Sequence, residues 1–287
     1  MDIGIGIPNA VRGATGPGLI EWARRAEAAG FSTLGSIGAV SYPSYEELTV
    51  FAAAAAVTER IRLTTNVLIG PARSTAELAK QSATVDALSG GRLTLGFGVG
   101  WREADFTLTG RDFERRGTLF DEQLRDLKAA WSGETIASGS RPVAPTPAQN
   151  PIPVLVGGTN AAAVRRVVEH GVGWTAGGMP PDAVAGFAQR VKAAWSDAGK
   201  DGSPRIVALV YYGLGDTEAE SRGNMLDYYQ PMGEQMAGMI ADSVLRSPDA
   251  VRGAVQAYRD AGVDELVLDP SVSDPAQVEL LAEAALG

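Results

Sequence analysis

Short runs of β-favouring apolar residues alternate with helix-like stretches from one end of the chain to the other. No other property of the sequence narrows its fold as much. Ile3, Ile5 and Ile7 form a first strand that Pro8 stops. Leu19, Trp22, Ala23, Ala26 and Ala29 share one face of the next helix, with Gly30 as its cap. Phe31 to Ile37 reads as a second strand. Ser44 with Glu47, and Ser74 with Glu77, have capping-box spacing and open helices that run to about Thr58 and Leu88. Ile61 to Ile69 is the strand between them. Arg92 to Val99, entered through Gly90-Gly91, is the fourth strand. After it come a helix with Leu119, Leu124, Leu127 and Trp131, and a fifth strand, Val154 to Val156. Thr159 caps a helix over 160–169, and Val172 to Thr175 is the sixth strand. A helix over Pro181–Ala198, a seventh strand over Arg205–Tyr212 and a helical segment over 217–246 follow. Ser247-Pro248 opens a helix to Ala261, Glu265 to Leu268 is the last strand and 275–286 the last helix.

Strict alternation implies a parallel sheet with helical crossovers. Eight units at about 35 residues each fit one α/β domain, a single (β/α)8 TIM barrel over 1–287. The rival is a doubly wound open sheet of two halves. The 217–246 segment is then an insertion between strand seven and the final helix pair. The charged stretch 102–114 and the Ser-, Gly- and Pro-rich stretch 133–153 are expected as loops at the barrel mouth. The latter has a linker's composition, but the next strand resumes the same rhythm.

Side-chain inventory removes several chemistries. There is no cysteine and one histidine, so thiolate nucleophiles, disulfides and a His-rich metal site are excluded, and no metal is expected. His170 ends a helix, on the face away from a barrel's catalytic rim, so a Ser-His-Asp triad is not expected. A net charge of −9 with no basic run argues against nucleic acid and anionic membranes. The N-terminus lacks a leader's basic and apolar regions, and no apolar run approaches the ~18 residues of a membrane span. A cytoplasmic location is expected.

A barrel's active site lies at the C-terminal strand ends. These carry Pro8-Asn9, Ser36, Asn66-Val67, Gly98 to Trp101, Gly157-Gly158, Gly177-Gly178, Tyr211-Tyr212 and Asp269. Only Asp269, Glu103 and Asp105 bring carboxylates near, which is poor material for paired-carboxylate hydrolysis. Glycine and amides suit a large planar ligand, so a cofactor is expected to carry the chemistry. Gly96-Phe97-Gly98-Val99-Gly100-Trp101 fails as a dinucleotide fingerprint, because the sixth position is Trp and no helix opens there. Its glycines mark either close ligand approach or barrel packing. Gly157-Gly158-Thr159 before a helix is an anion site or an ordinary tight turn. Asn66 is a strand-end amide or a ring contact. Arg115 and Arg116 oppose their helix dipole, a cost that a bound phosphate or a partner such as Asp112 would offset. Tyr228-Tyr229 and the methionines of 217–246 are core residues or pocket lining.

Together these segments resemble the bacterial luciferase-like superfamily of FMN- or coenzyme F420-dependent barrel enzymes. The resemblance covers nearly the whole chain. Its most specific piece is Asp86-Ala87-Leu88-Ser89-Gly90-Gly91-Arg92-Leu93-Thr94-Leu95-Gly96-Phe97-Gly98-Val99-Gly100-Trp101, continuing through Arg116 to Phe120-Asp121-Glu122. Further pieces are Pro151-Ile152-Pro153-Val154-Leu155-Val156-Gly157-Gly158 and Ala261-Gly262-Val263-Asp264-Glu265-Leu266. The resemblance implies F420 or, as second choice, FMN in the barrel mouth. It implies a non-proline cis peptide at Asn66-Val67 behind the ring, with Gly98 and Gly100 beside it. Gly157, Gly158 and Thr159 would hold the phosphate, with Gly177, Gly178 and Arg116 near. Ser36, Trp101, Tyr228 and Tyr229 would face a small-molecule substrate. Ser36 stands where many deazaflavin members carry histidine, and Asp105 or Glu103 matches an acidic residue common after the Gly-Trp pair. The implied activity is hydride transfer, or monooxygenation if FMN is used, in a homodimer. The alternatives are a non-catalytic flavin- or F420-binding barrel and a cofactor-free barrel hydrolase.

Overall fold

In the computed structural model, which describes residues 1–287, the parallel sheet closes on itself. Its strands are β1 (Asp2–Gly6), β2 (Thr33–Ser36), β3 (Arg62–Ile69), β4 (Leu93–Gly98), β5 (Val154–Gly157), β6 (Gly173–Thr175), β7 (Arg205–Tyr212) and β8 (Glu265–Pro270). Each pairs with the next, and β8 returns to β1 through Ile3 opposite Leu266 and Ile5 opposite Leu268. Closure leaves no unpaired edge. The open-sheet alternative is thereby excluded.

The helices are α1 (Gly16–Ala29), α2 (Glu47–Ala55), α3 (Thr75–Ser89), α4 (Glu103–Thr109), α5 (Arg116–Trp131), α6 (Ala161–His170), α7 (Pro181–Asp197), α8 (Glu218–Tyr229), α9 (Glu234–Asp242), α10 (Pro248–Asp260) and α11 (Gln277–Ala285). Strand residues alternate between two faces. Ile3, Ile5, Leu34, Leu63, Leu93, Leu95 and Phe97 face the helices and share one buried core with Trp22, Trp131 and Trp174. Inside the barrel, Leu155, Val207 and Val267 form a separate small apolar layer.

The base of the barrel is heavily bonded. Glu265, fully buried, accepts from Ser32 Oγ at 2.7 Å, Thr33 Oγ1 at 2.5 Å and Arg62 Nη2 at 3.1 Å, and pairs with Arg205. Arg92, from the motif that enters β4, donates to the carbonyls of Ala55, Thr58, Ile61 and Ser89. Its cation thus sits among carbonyls at the ends of α2 and α3, where helix dipoles favour positive charge.

Several local expectations are corrected. The stretch 102–114 is not all loop: α4 forms there, anchored by buried Phe106. The stretch 133–153 lies at the opposite end from the mouth. It leads from α5 into β5, and Gln149 donates to Asp86 near the end of α3 and to the carbonyl of Leu93 at the start of β4. Ser44 and Glu47 make no capping box. Glu46 caps α2 by accepting from Thr49 N at 2.7 Å, while Glu47 is buried and paired with Arg73. Ser74 occupies its cap position without a side-chain bond. Asn160, not Thr159, caps α6, accepting from Ala163 N at 2.9 Å. The 217–246 insertion is two helices, α8 and α9, joined by a 3-10 turn. No helix is long and apolar enough to cross a membrane.

Candidate functional site

At the C-terminal ends of the strands lies a cavity of about 350 Å³. The β3–β4 register supplies its back wall. Thr65 pairs with Leu95 but Leu68 pairs with Phe97, so β3 spends one residue more than β4 over that interval. Such a bulge resets the alternation of side chains. Asn66 and Val67, though adjacent, therefore both line the cavity, and the peptide between them is cis.

Gly98, Gly100 and Trp101 line the front of the cavity; Gly157 and Gly158 of the turn after β5, and Gly177 and Gly178 after β6, line its side. The glycines of β4 and of its exit owe their identity first to packing. A Cβ at Gly96 would collide with the Thr65 carbonyl, one at Gly98 would stand 2.8 Å from Val67 Cγ2, and one at Gly100 2.6 Å from Ile69 Cγ2. By contrast, a Cβ at Gly177 would meet nothing within 4 Å. Trp174 donates its indole N–H to the Gly158 carbonyl at 2.8 Å, fixing the turn that leads to α6. The backbone amides at the start of α6 suit an anion.

Asn66 is 5% exposed and accepts from Thr175 Oγ1 at 2.5 Å, which leaves its Nδ2 buried with no partner. A buried donor without an acceptor is costly, and here it stands on a cavity wall. Thr175 was not singled out in the sequence; it too lines the cavity, as do Ile37, Gly38, Leu209 and Tyr211. Tyr228 and Tyr229 reach in from α8. The Tyr229 and Tyr211 hydroxyls are 2.6 Å apart. Burial keeps both protonated, pushing Tyr229 to about 12 and Tyr211 well above the ordinary phenol range.

Ser36 is placed differently from expectation. It is fully buried outside the cavity, and Ile37 and Gly38 occupy the lining. The reason is strand phase: Ser36 lies two residues from core-facing Leu34, so it shares that side. Asp105 is 1% exposed and spent on another task, accepting from Ser41 N at 2.7 Å and Ser41 Oγ at 2.6 Å. Glu103 is exposed on the first turn of α4. Neither lines the cavity. Thr159 is exposed beside Gly158. Arg116 opens α5 with its guanidinium on the Phe113 ring at 3.9 Å, outside the lining.

A clamp at the rim involves Arg102, which sequence reasoning missed. This buried guanidinium lies 4.5 Å from the rings of both Trp101 and Tyr228 and donates to the Tyr228 carbonyl. It joins the β4 exit to the insertion. Cation–π stacking of this kind holds flat side chains in place.

One further group sits beneath the mouth. Asp269, near the end of β8, is 2% exposed and neither carboxyl oxygen has a partner. It fills the space that a side chain at Gly6 of β1 would need. Burial without any compensating bond pushes its pKa up to about 8, so it is largely protonated at neutral pH.

The cavity lining contains no charged side chain. Its chemistry is that of a neutral slot with a few aimed polar atoms, which fits a planar cofactor better than side-chain acid–base work.

Comparison with known proteins bears on this geometry. A Mycobacterium tuberculosis protein of unassigned function, Rv0953c, is 36% identical over 167 residues, and the match spans 55% of this chain and 58% of that relative's length. The FMNH(2)-dependent dimethylsulfone monooxygenase of Pseudomonas putida is 27% identical over 231 residues, 76% of this chain and 58% of the enzyme. An F420-dependent secondary alcohol dehydrogenase, solved with an F420-acetone adduct, superposes with a TM-score of 0.82 at 16% identity, covering 99% of this chain and 98% of that one. The family model for luciferase-like monooxygenases matches residues 1–284, and the chain belongs to that family.

Proposed function

We propose that the protein is a deazaflavin- or flavin-dependent oxidoreductase that transfers hydride between the cofactor and a small organic substrate, with coenzyme F420 as first assignment and FMN as second. The observation that carries this reading is the unpartnered Asn66 Nδ2 on the wall of an uncharged, glycine-lined slot. It is a donor in want of an acceptor, and the polar edge of a flavin or deazaflavin ring supplies one. The residues fit the group. Asn66, Val67, Gly98 and Gly100 would hold the ring. The Gly157-Gly158-Thr159 turn, the start of α6, Gly177 and Gly178 would hold the phosphate, with Arg116 lending positive charge. The bound ring supplies the hydride chemistry.

The chain's own residues then orient and exclude. Trp101, held by Arg102, covers the front, and Tyr228 and Tyr229 close the top. The paired Tyr211 and Tyr229 hydroxyls remain protonated through the physiological range and offer a hydrogen bond to a substrate oxygen. A non-catalytic binding barrel is the second reading, favoured by the absence of any carboxylate or imidazole from the lining.

Titration with F420 and FMN in turn, followed by tryptophan fluorescence, tests the assignment. Of five tryptophans, Trp101 alone is exposed, and it lies on the cavity. Saturable quenching by one cofactor, reduced in Trp101→Phe while binding persists by the cofactor's own emission, is expected. Binding of neither cofactor overturns it. Binding without turnover across a substrate panel selects the second reading.

A further inference from the structure

A second, larger cavity of about 850 Å³ opens between the insertion and α10. It shares Trp101, Gly178, Leu209, Tyr211 and Tyr229 with the smaller cavity, so the two adjoin. Their walls are built from opposite materials. Helix α9 presents Met236, Met239 and Ile240, a stripe at i, i+3, i+4 spacing, with Met232 before it. Helix α10 presents Ala250, Gly253, Ala254 and Ala257, a stripe of the same spacing made of small residues. One wall is long and adaptable; the other is bare and leaves room. Methionine repacks readily around irregular apolar shapes. Met232, Met236 and Met239 are 40%, 42% and 60% exposed, an unusual amount of apolar surface to leave open.

The lining of this groove contains no Asp, Glu, Lys, Arg or His. A charged ligand would lose water there and gain no counter-charge. Its polar side chains are mostly committed. Ser243 Oγ donates to the Ile240 carbonyl at 2.8 Å, and the Tyr258 hydroxyl to the Met179 carbonyl at 2.7 Å. The exception is the Tyr211–Tyr229 pair, on the wall common to both cavities. Two phenol protons serve that pair and one suffices to hold it, so one O–H is left to donate.

We infer that this groove is the substrate site and takes an uncharged, bulky, mostly hydrocarbon molecule with a carbonyl or hydroxyl oxygen, which the Tyr211–Tyr229 pair binds where the two cavities meet. The word substrate rests on the proposed function; the ligand class rests on the groove alone.

The test is calorimetric titration of the full-length protein, without and with cofactor. The probes are two matched pairs, 2-naphthol against 2-naphthoate and progesterone against 3-oxo-4-androstene-17β-carboxylate, plus naphthalene. At least one uncharged, oxygen-bearing probe should bind saturably, and its carboxylate partner weaker by about a hundredfold or more, because the groove offers no counter-ion. In Gly253→Phe the new side chain starts in open space, since a Cβ at Gly253 meets nothing within 4 Å, and it projects from the small-residue wall. That variant should melt like the parent, bind the same cofactor equally well and lose at least about tenfold in probe affinity. The double variant Tyr211→Phe with Tyr229→Phe removes both phenol protons and should weaken the oxygen-bearing probe about fivefold while leaving naphthalene unchanged. Equal affinity for the carboxylates, no binding of either uncharged probe, or full probe affinity in Gly253→Phe overturns the inference. If the uncharged probes bind as described while neither cofactor binds, the proposed function fails and the groove stands as a site for neutral ligands.

Discussion

Strand β8 carries two carboxylates four residues apart on its inward face, and the barrel treats them in opposite ways. Glu265, at the base, is surrounded by two arginines and two hydroxyls. Asp269, near the mouth, has no partner at all. Both are essentially dry. The difference separates a charge that was buried to be bonded from an acid that was buried to stay neutral. It also divides the molecule. At the base, Glu265 and Arg92 consume the donors and acceptors around them. The upper interior keeps loose ends, Asp269, Asn66 Nδ2 and Thr64 Oγ1 among them. Binding sites tend to hold such unsatisfied groups, and stability is supplied elsewhere.

The sharpest way to break this comparison is pH. Below about pH 4, Asp269 is protonated in both folded and unfolded chains and contributes no pH dependence. Between about 4 and 8 the unfolded chain releases the proton while the fold retains it, so stability falls as pH rises. Above that window the loss is complete. Asp269→Asn removes the effect. Urea denaturation of parent and variant across pH 4 to 9 should show the variant's relative stability rising with pH by on the order of 4–5 kcal/mol. A constant difference would mean that Asp269 finds a partner or water in solution.

The opposite carboxylate should respond in the opposite sense. Glu265→Gln removes the charge that Arg62 and Arg205 share, leaving Arg205 without a carboxylate and Arg62 with Asp2 alone. Both arginines are partly exposed, at 40% and 27%, so water offsets some of the cost. A loss of about 3 kcal/mol is expected in the same urea experiment. A loss below about 1 kcal/mol would reduce the base network to an ordinary surface pair.

The smallest effect is expected at Asn66. Asn66→Ala deletes the unpartnered donor together with the acceptor of the buried Thr175 hydroxyl, so stability should fall by only about 1–2 kcal/mol. Affinity for the true cofactor should fall about tenfold, the worth of one buried hydrogen bond. A large fall in melting temperature with unchanged affinity would make Asn66 a member of the scaffold, held by Thr175.

The strand–helix rhythm was readable because each unit announces itself within its own thirty-odd residues. The cavity's glycine turns were readable for the same reason, since Gly157-Gly158 and Gly177-Gly178 each follow a short apolar run. What escaped was relational. Thr175 meets Asn66 across 109 positions, and Arg102 meets Tyr228 across 126. The partnerless state of Asp269 depends on the missing side chain of Gly6, at the other end of the chain. Ser36 was misassigned by one step of strand phase, which no composition signal near Phe31 to Ile37 resolves. Helix α4 escaped because its apolar content is slight and only Phe106 is buried among its hydrophobic residues. The end of the barrel on which 133–153 lies follows from chain direction: a segment that leads from a helix into a strand returns to the base.

The β4 glycines carry a warning for any substitution survey of this protein. Gly96 is barred from change by the Thr65 carbonyl, and Gly173 by the backbone of Arg205, with no ligand involved. A survey scored on activity would mark both as intolerant, beside Gly98 and Gly100, and a map of intolerance would spread the active site down into the barrel wall. Gly178 has free space and ordinary backbone angles and would be sensitive through what binds there, whereas Gly177, also in open space, has a left-handed φ of +58° that strains any side chain. Intolerance at Gly178, in variants that still fold, would trace the ligand's outline.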